Sequence, residues 1–226
     1  MTVEQELKQL ADPEKAAFSQ RFFRTGKGEY AEGDVFLGIT VPKQRAVAKQ
    51  YADLSRRAVK KLLTSKIHEH RLTALYILVG QYANDKKRTY DFYMQHLHCI
   101  NNWDLVDSSA YKIVGEHLLD KERTVLYTLA RSRNLWERRI AMISTYAFIR
   151  KNDFADALAI AELLVDDEHD LIHKAVGWML REIGKRDLTA EERFLKKHYT
   201  TMPRTMLRYA IEKFTPAQRT FYMRKP

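Results

Sequence analysis

An all-α chain of stacked helix pairs is the fold class this sequence predicts, and three observations carry it. Gly and Pro, which interrupt helices, number only 8 and 5 among 226 residues. Apolar residues recur at three- and four-residue spacings almost throughout, the period of a helix with one buried face. Similar segments also return at regular intervals: residues 69–74, 137–142, 172–177 and 206–211 align, so that Arg71, Arg139, Lys174 and Arg208 fall at steps of 68, 35 and 34. A period near 34 suits a two-helix unit, and such units stacked side by side form an α-solenoid, a superhelix of HEAT-like helix pairs. The expected organisation is one domain over residues 1–226, long enough to bury a substantial core.

Taken in order, the N-terminal stretch Met1-Thr2-Val3-Glu4-Gln5-Glu6-Leu7-Lys8 is polar and acidic rather than basic and then apolar. No apolar run approaches the ~20 residues of a membrane span. Cys99 is the single cysteine, which excludes an internal disulfide and a Cys-rich zinc site. These features predict an unprocessed, cytoplasmic chain with no membrane partner. Gly26-Lys27-Gly28-Glu29-Tyr30-Ala31-Glu32-Gly33 breaks the helical pattern. No strand precedes it and no Gly-Lys-Ser/Thr follows, so it reads as a flexible loop and not as a phosphate-cradling P-loop. Phe36-Leu37-Gly38-Ile39-Thr40-Val41-Pro42 then leads into a helix, with Thr40 or Val41 before it and Pro42 in its first turn, where a missing N–H costs nothing.

The step of 68 hides one repeat. Strict spacing puts Leu105 in the hidden slot; sliding by two residues puts Asp107 there, with steps of 36 and 32. Loops between solenoid repeats absorb such differences, and the slide gives the row Arg71, Asp107, Arg139, Lys174, Arg208, one acid in a line of bases. Trp103 lies one helical turn before its slot and Trp178 one turn after its own. The plain structural reading is that the cations are solvated, that Trp103 is core and that Asp107 favours a helix N-terminus. Against it stands the charge balance: 39 Lys and Arg against 29 Asp and Glu leave +10, which points to a polyanion, with nucleic acid foremost. A basic row on stacked helices about 10 Å apart can follow a phosphodiester backbone along a concave face. Nothing resembles a recognition helix, a zinc finger or a strand platform, so the expected contacts are to phosphate and sugar rather than base edges.

Other clusters carry less chemistry. His96 and Cys99 are three residues apart, but no second cluster supplies further metal ligands, so they read as packed or exposed helix residues. Asp166-Asp167-Glu168-His169-Asp170 reads as a solvated loop and N-cap region. Gly-x-Ser-x-Gly, His-Glu-x-x-His and a catalytic carboxylate pair are absent.

Trp103, Asp107, Arg139 and Trp178 remain, and around them the chain resembles the AlkD-type DNA alkylation repair glycosylases, α-solenoids of HEAT-like repeats. The likeness runs from the segment at residues 36–42 through Trp103-Asp104-Leu105-Val106-Asp107-Ser108 and Leu135-Trp136-Glu137-Arg138-Arg139 to Lys174-Ala175-Val176-Gly177-Trp178-Met179-Leu180-Arg181-Glu182. It implies a catalytic aspartate at Asp107, active-site tryptophans at Trp103 and Trp178, and a phosphate-binding arginine at Arg139; the repeat register, not the resemblance, extends the expected phosphate track to Arg71, Lys174 and Arg208. It further implies a monofunctional, metal-free and cofactor-free glycosylase that hydrolyses the N-glycosidic bond of cationic N3- or N7-alkylated purines in duplex DNA. Stacked repeats make a monomer sufficient. Two other readings stand beside it: a non-catalytic HEAT-like DNA-binding protein using the same basic row, and a solenoid docking an acidic peptide. An acid flanked by indoles speaks against the peptide.

Overall fold

The structure, a computed structural model, describes residues 1–224. It is all-α, built of HEAT-like helix pairs; among the described residues the only extended pairing is an isolated bridge between Val35 and Ile67. Its helices pack as two compact units, Met1–Ser109 and Ala110–Pro226.

The first unit holds α1 (Val3–Gln9), α2 (Pro13–Phe22), α3 (Val41–Gln50), α4 (Arg56–Leu63), α5 (His68–Tyr82), α6 (Lys86–Gln95) and α7 (Trp103–Ala110), whose last residue opens the second unit. Thr2, Asp12, Ser55 and Asp85 cap their helices through side-chain oxygens, and Pro42 stands in the first turn of α3 as expected. The Gly-rich loop lies between α2 and α3, where the carboxylates of Glu29 and Glu32 accept from the N–H groups of Gly26 and Gly28. The central helix is α5, against which α1, α3, α4 and α6 pack.

Enclosure of α5 buries even its charged first turn, and each such group has a partner, as burial demands. Glu69 accepts from the N–H groups of Leu37, Gly38 and Ile39 at 2.9, 2.8 and 3.2 Å. The loop before α3 is thereby tied to α5. Gly38 permits its course twice over: φ is 80°, and a Cβ there would overlap the backbone of Asp12 and Ala16 at the start of α2.

The second unit opens with a π-helical turn, Tyr111–Gly115, and continues through α8 (Thr124–Ala130), α9 (Leu135–Ser144), α10 (Tyr146–Ile149), α11 (Ala155–Leu163), α12 (Asp170–Gly184), α13 (Leu188–His198), α14 (Arg204–Ala210) and α15 (Pro216–Met223). Here α12 is central, packing on α9, α11, α13 and most extensively α14. Gly177 makes the last contact possible: a Cβ would strike the carbonyl of Met206 and the side chain of Tyr209. The acidic run at 166–170 is a loop and cap region as expected, with Asp166, Glu168 and Asp170 exposed. His169 caps α12 by accepting from the Leu171 N–H, but Asp167 pairs with Arg138 at 2.7 Å and is largely covered.

Glu191 on α13 is the least comfortable charge of this unit. It is 1% exposed and its Oε1 lacks a hydrogen-bond partner. Burial, helped by the charge of Glu192 and opposed by Arg181, pushes its carboxyl up to about 8. A group protonated in the fold but ionised when unfolded makes stability fall as pH rises from the ordinary carboxylate range through about 8. Glu191→Gln is therefore expected to stabilise the protein by about 3 kcal/mol at pH 9 and hardly at all at pH 4. Urea midpoints at the two pH values check this, and a gain equal at both would contradict it.

Candidate active site

Helix α7 begins where Asn102 Oδ1 accepts from the N–H of Trp103 at 2.8 Å. Trp103 and Asp107 stand one turn apart on it, and both are half-buried. The indole has one face on Phe23, at 5.2 Å between centroids and 15° between planes, and meets Phe22 edge-on at 6.0 Å. Phe23 stacks in turn on Phe36 at 4.9 Å. Trp103 is thus a supported ring with part of its surface open, distinct from a core residue. Asp107 is not sunk in hydrocarbon either. Its charge reaches the buried Tyr93, whose phenol is pushed well above its ordinary value first by burial and then by Asp107, and whose hydroxyl lies 2.9 Å from Ser109 Oγ.

Behind the indole lies a buried ionic cluster that sequence reasoning missed. His68, the first residue of α5, has Nε2 2.8 Å from Asp104 Oδ2 and Nδ1 3.4 Å from Asp34 Oδ2. Phe36 stacks on its ring at 4.5 Å and Phe23 lies at 5.1 Å. Burial alone would pull its pKa down; the charge and hydrogen bond of Asp104, with the hydrogen bond to Asp34, outweigh burial and the Arg71 charge and push it up to about 9. A signal was present: His68 precedes Asp104 by 36 residues, the same step that separates Arg71 from Asp107.

Arg71 departs from the expected basic row. It is 5% exposed, with Nη2 donating to Asp34 Oδ2 at 2.5 Å and Nη1 to the Ser65 carbonyl at 2.9 Å. Enclosure of α5 turns this cation inward, and its charge is compensated by a carboxylate of the preceding loop.

In the second unit, Arg139 is 4% exposed and donates through Nη1 to the Leu171 carbonyl, linking α9 to the start of α12. Lys174 and Trp178 lie one turn apart on α12. Lys174 pairs with Asp170 at 2.8 Å and keeps about a third of its side chain exposed, at 37%. Trp178 is half-buried, its Nε1 donating to Glu182 Oε1 at 3.3 Å and its ring 6.1 Å from that of Tyr146. Glu182 also holds Lys185 at 2.6 Å, so a buried carboxylate anchors the indole; its place one turn after Trp178 was the available clue. Arg208 on α14 is exposed, with Thr205 Oγ1 3.4 Å away.

Counted within their helices, Asp107, Arg139, Lys174 and Arg208 are each the fifth residue, of α7, α9, α12 and α14, and Arg71 is the fourth of α5. Leu105, the strict-spacing alternative, is only third. His96 faces the Phe92 carbonyl at 2.7 Å and Cys99 is buried, its thiol pushed up by that burial; neither joins a cluster of three metal-ligating side chains among the described residues.

Helix pairs of HEAT type, each slot residue held in the second turn of its helix, define the class of repeat protein. The sequence profile of the DNA alkylation repair enzymes matches residues 3–214, and the chain belongs to that family. Solved structures agree in fold. A protein from Enterococcus faecalis, described as a predicted DNA alkylation repair enzyme, is 19% identical with a TM-score of 0.69, over 91% of this chain and 97% of that one. AlkD2 from Streptococcus mutans is 18% identical with a TM-score of 0.59, over 95% and 100%. The smu.31 protein from Streptococcus mutans UA159 is 18% identical with a TM-score of 0.56, over 90% and 96%. No curated protein matches the chain. Among the described residues no helix is long and apolar enough to cross a membrane.

Proposed function

We propose that the protein is a DNA glycosylase that hydrolyses the N-glycosidic bond of N3- and N7-alkylated purines in duplex DNA. The observation that carries this reading is the pair on α7: a half-buried carboxylate, Asp107, one turn from an indole, Trp103, that rests on a fixed stack of rings, in a chain of this repair family.

The chemistry asks little of the protein beyond such a pair. A purine alkylated at N3 or N7 is already cationic, so it leaves as a neutral base with the glycosidic electron pair and needs no general acid. The barrier is positive charge at the deoxyribose C1′, and a preorganised carboxylate lowers it. Asp107 stabilises that charge and orients the water whose oxygen adds to C1′ and whose surplus proton passes to solvent, leaving an abasic site. The face of Trp103 favours the developing cation, and the family resemblance implies the same role for Trp178. Glu182 holds the second indole in place. Lys174 and Arg208 offer cations to phosphate, and Arg139 makes the phosphate contact the family resemblance implies. Arg71 is left out of the track because it is both buried and paired with Asp34, whereas Lys174, though paired with Asp170, keeps 37% of its side chain exposed. The reading treats residues 1–226 as one functional DNA-binding chain, active as a monomer inside the cell and without metal or cofactor.

The test is direct. Incubation with methylated duplex DNA is expected to release free 3-methyladenine and 7-methylguanine; tight binding without release would favour the non-catalytic DNA-binding reading. For the phosphate track, Arg139→Ala is expected to weaken duplex binding and reduce the slope of log affinity against log salt by about one contact. A slope equal to that of the wild type would remove Arg139 from it.

A further inference from the structure

We propose that His68 is a positioning residue for Asp107: tied to Asp104 and Asp34 and packed beside the Phe23–Trp103 stack, it fixes the rotation of α7 about its axis and hence the direction in which Asp107 is presented. This rests on the catalytic reading of Asp107 above.

The geometry requires a particular form of the ring. Both nitrogens of His68 face carboxylate oxygens, which have no proton to give, so only the doubly protonated imidazolium donates on both sides. The groups around it balance that charge. Asp104 faces it from α7 and Asp34 from the loop before α3, while Arg71 of α5 shares Asp34 Oδ2 at 2.5 Å. Two cations and two anions make a neutral, buried set. Removing the His68 proton leaves that set with an uncompensated negative charge and breaks one of the two links.

The consequence for Asp107 follows from helix geometry. Successive residues are 100° apart around the axis, so Asp104 lies about 100° from Trp103, and Asp107 about 40° from it on the same side. Asp107 therefore falls between the two side chains that are held: Trp103 by its face on Phe23, Asp104 by His68. Two anchors on either side of one azimuth leave α7 no freedom to roll. Phe23 touches both anchors, carrying the indole and packing on His68, while Phe36 packs on His68 and on Phe23.

Single-turnover release of 3-methyladenine, duplex affinity and the pH profile of release, measured on the full chain, separate this role from mere stability. His68→Gln is expected to slow release about tenfold or more while changing duplex affinity less than about twofold. In the wild type the rate is expected to fall as pH rises through about 9, and that fall to disappear in His68→Gln. Asp104→Asn, which keeps the helix residue but removes the charge, is expected to slow release in the same way, and the double variant no further. Should His68→Gln fail to fold, the wild-type ring is followed by side-chain 15N NMR: titration near 9 supports the clamp, and titration near 6.5 overturns it. Wild-type release rate and pH profile in His68→Gln also overturn it. Failure of the catalytic reading is distinguishable, because then the wild type itself releases no base although the ring still titrates high.

Discussion

Asp107→Asn is expected to slow base release about a hundredfold or more while duplex affinity stays within about twofold, the largest functional effect expected. Asparagine keeps the size of the side chain and its capacity to accept a hydrogen bond from water. What it removes is the negative charge, and the charge is what lowers the energy of a cationic sugar. Ground-state DNA gains nothing from a carboxylate beside its phosphates, so affinity has no reason to fall and, with one repulsion gone, rises slightly. Free 3-methyladenine released in single turnover, beside a binding isotherm at fixed salt, gives both numbers. Release at the wild-type rate would take Asp107 out of the reaction and leave the family membership untouched.

Gly38→Ala carries the largest expected loss of stability, about 3 kcal/mol or more. Two costs add. The left-handed φ of 80° is strained for any residue with a Cβ, and the new methyl would overlap backbone atoms of Asp12 and Ala16, which cannot rotate away as a side chain would. Relief by moving the loop would break the hydrogen bonds that Leu37, Gly38 and Ile39 donate to Glu69. Urea unfolding monitored by far-UV circular dichroism measures the loss. A midpoint equal to the wild type would show that α2 moves aside freely.

The repeat pattern made the architecture legible because it is carried by many residues at once: scarce Gly and Pro, a three-and-four spacing of apolar positions, and cations returning every 34 or so residues. That Asp107 shares its place within its helix with Arg139, Lys174 and Arg208 was readable for the same reason. Arg71 shows where that pattern misleads. Spacing gives a residue's place on a helix but not whether the helix is enclosed, and α5 is enclosed on nearly every side, so a residue expected on the phosphate track sits in a buried ion pair. His68, Asp104 and Asp34 escaped for a related reason. Their meeting depends on where the irregular chain between α2 and α3 runs, and that course is set by Glu69 and Gly38 acting together rather than by any periodicity.

Because each slot residue is counted from the start of its own helix, the connections between helices carry no information about the row. Segments of different length can be exchanged at those connections without changing a residue's place within its own helix. One residue inserted within the opening turn of a helix swings everything after it by about 100° and empties the slot. The chain accordingly has two kinds of sequence, one free to drift in length and one that can change only in identity.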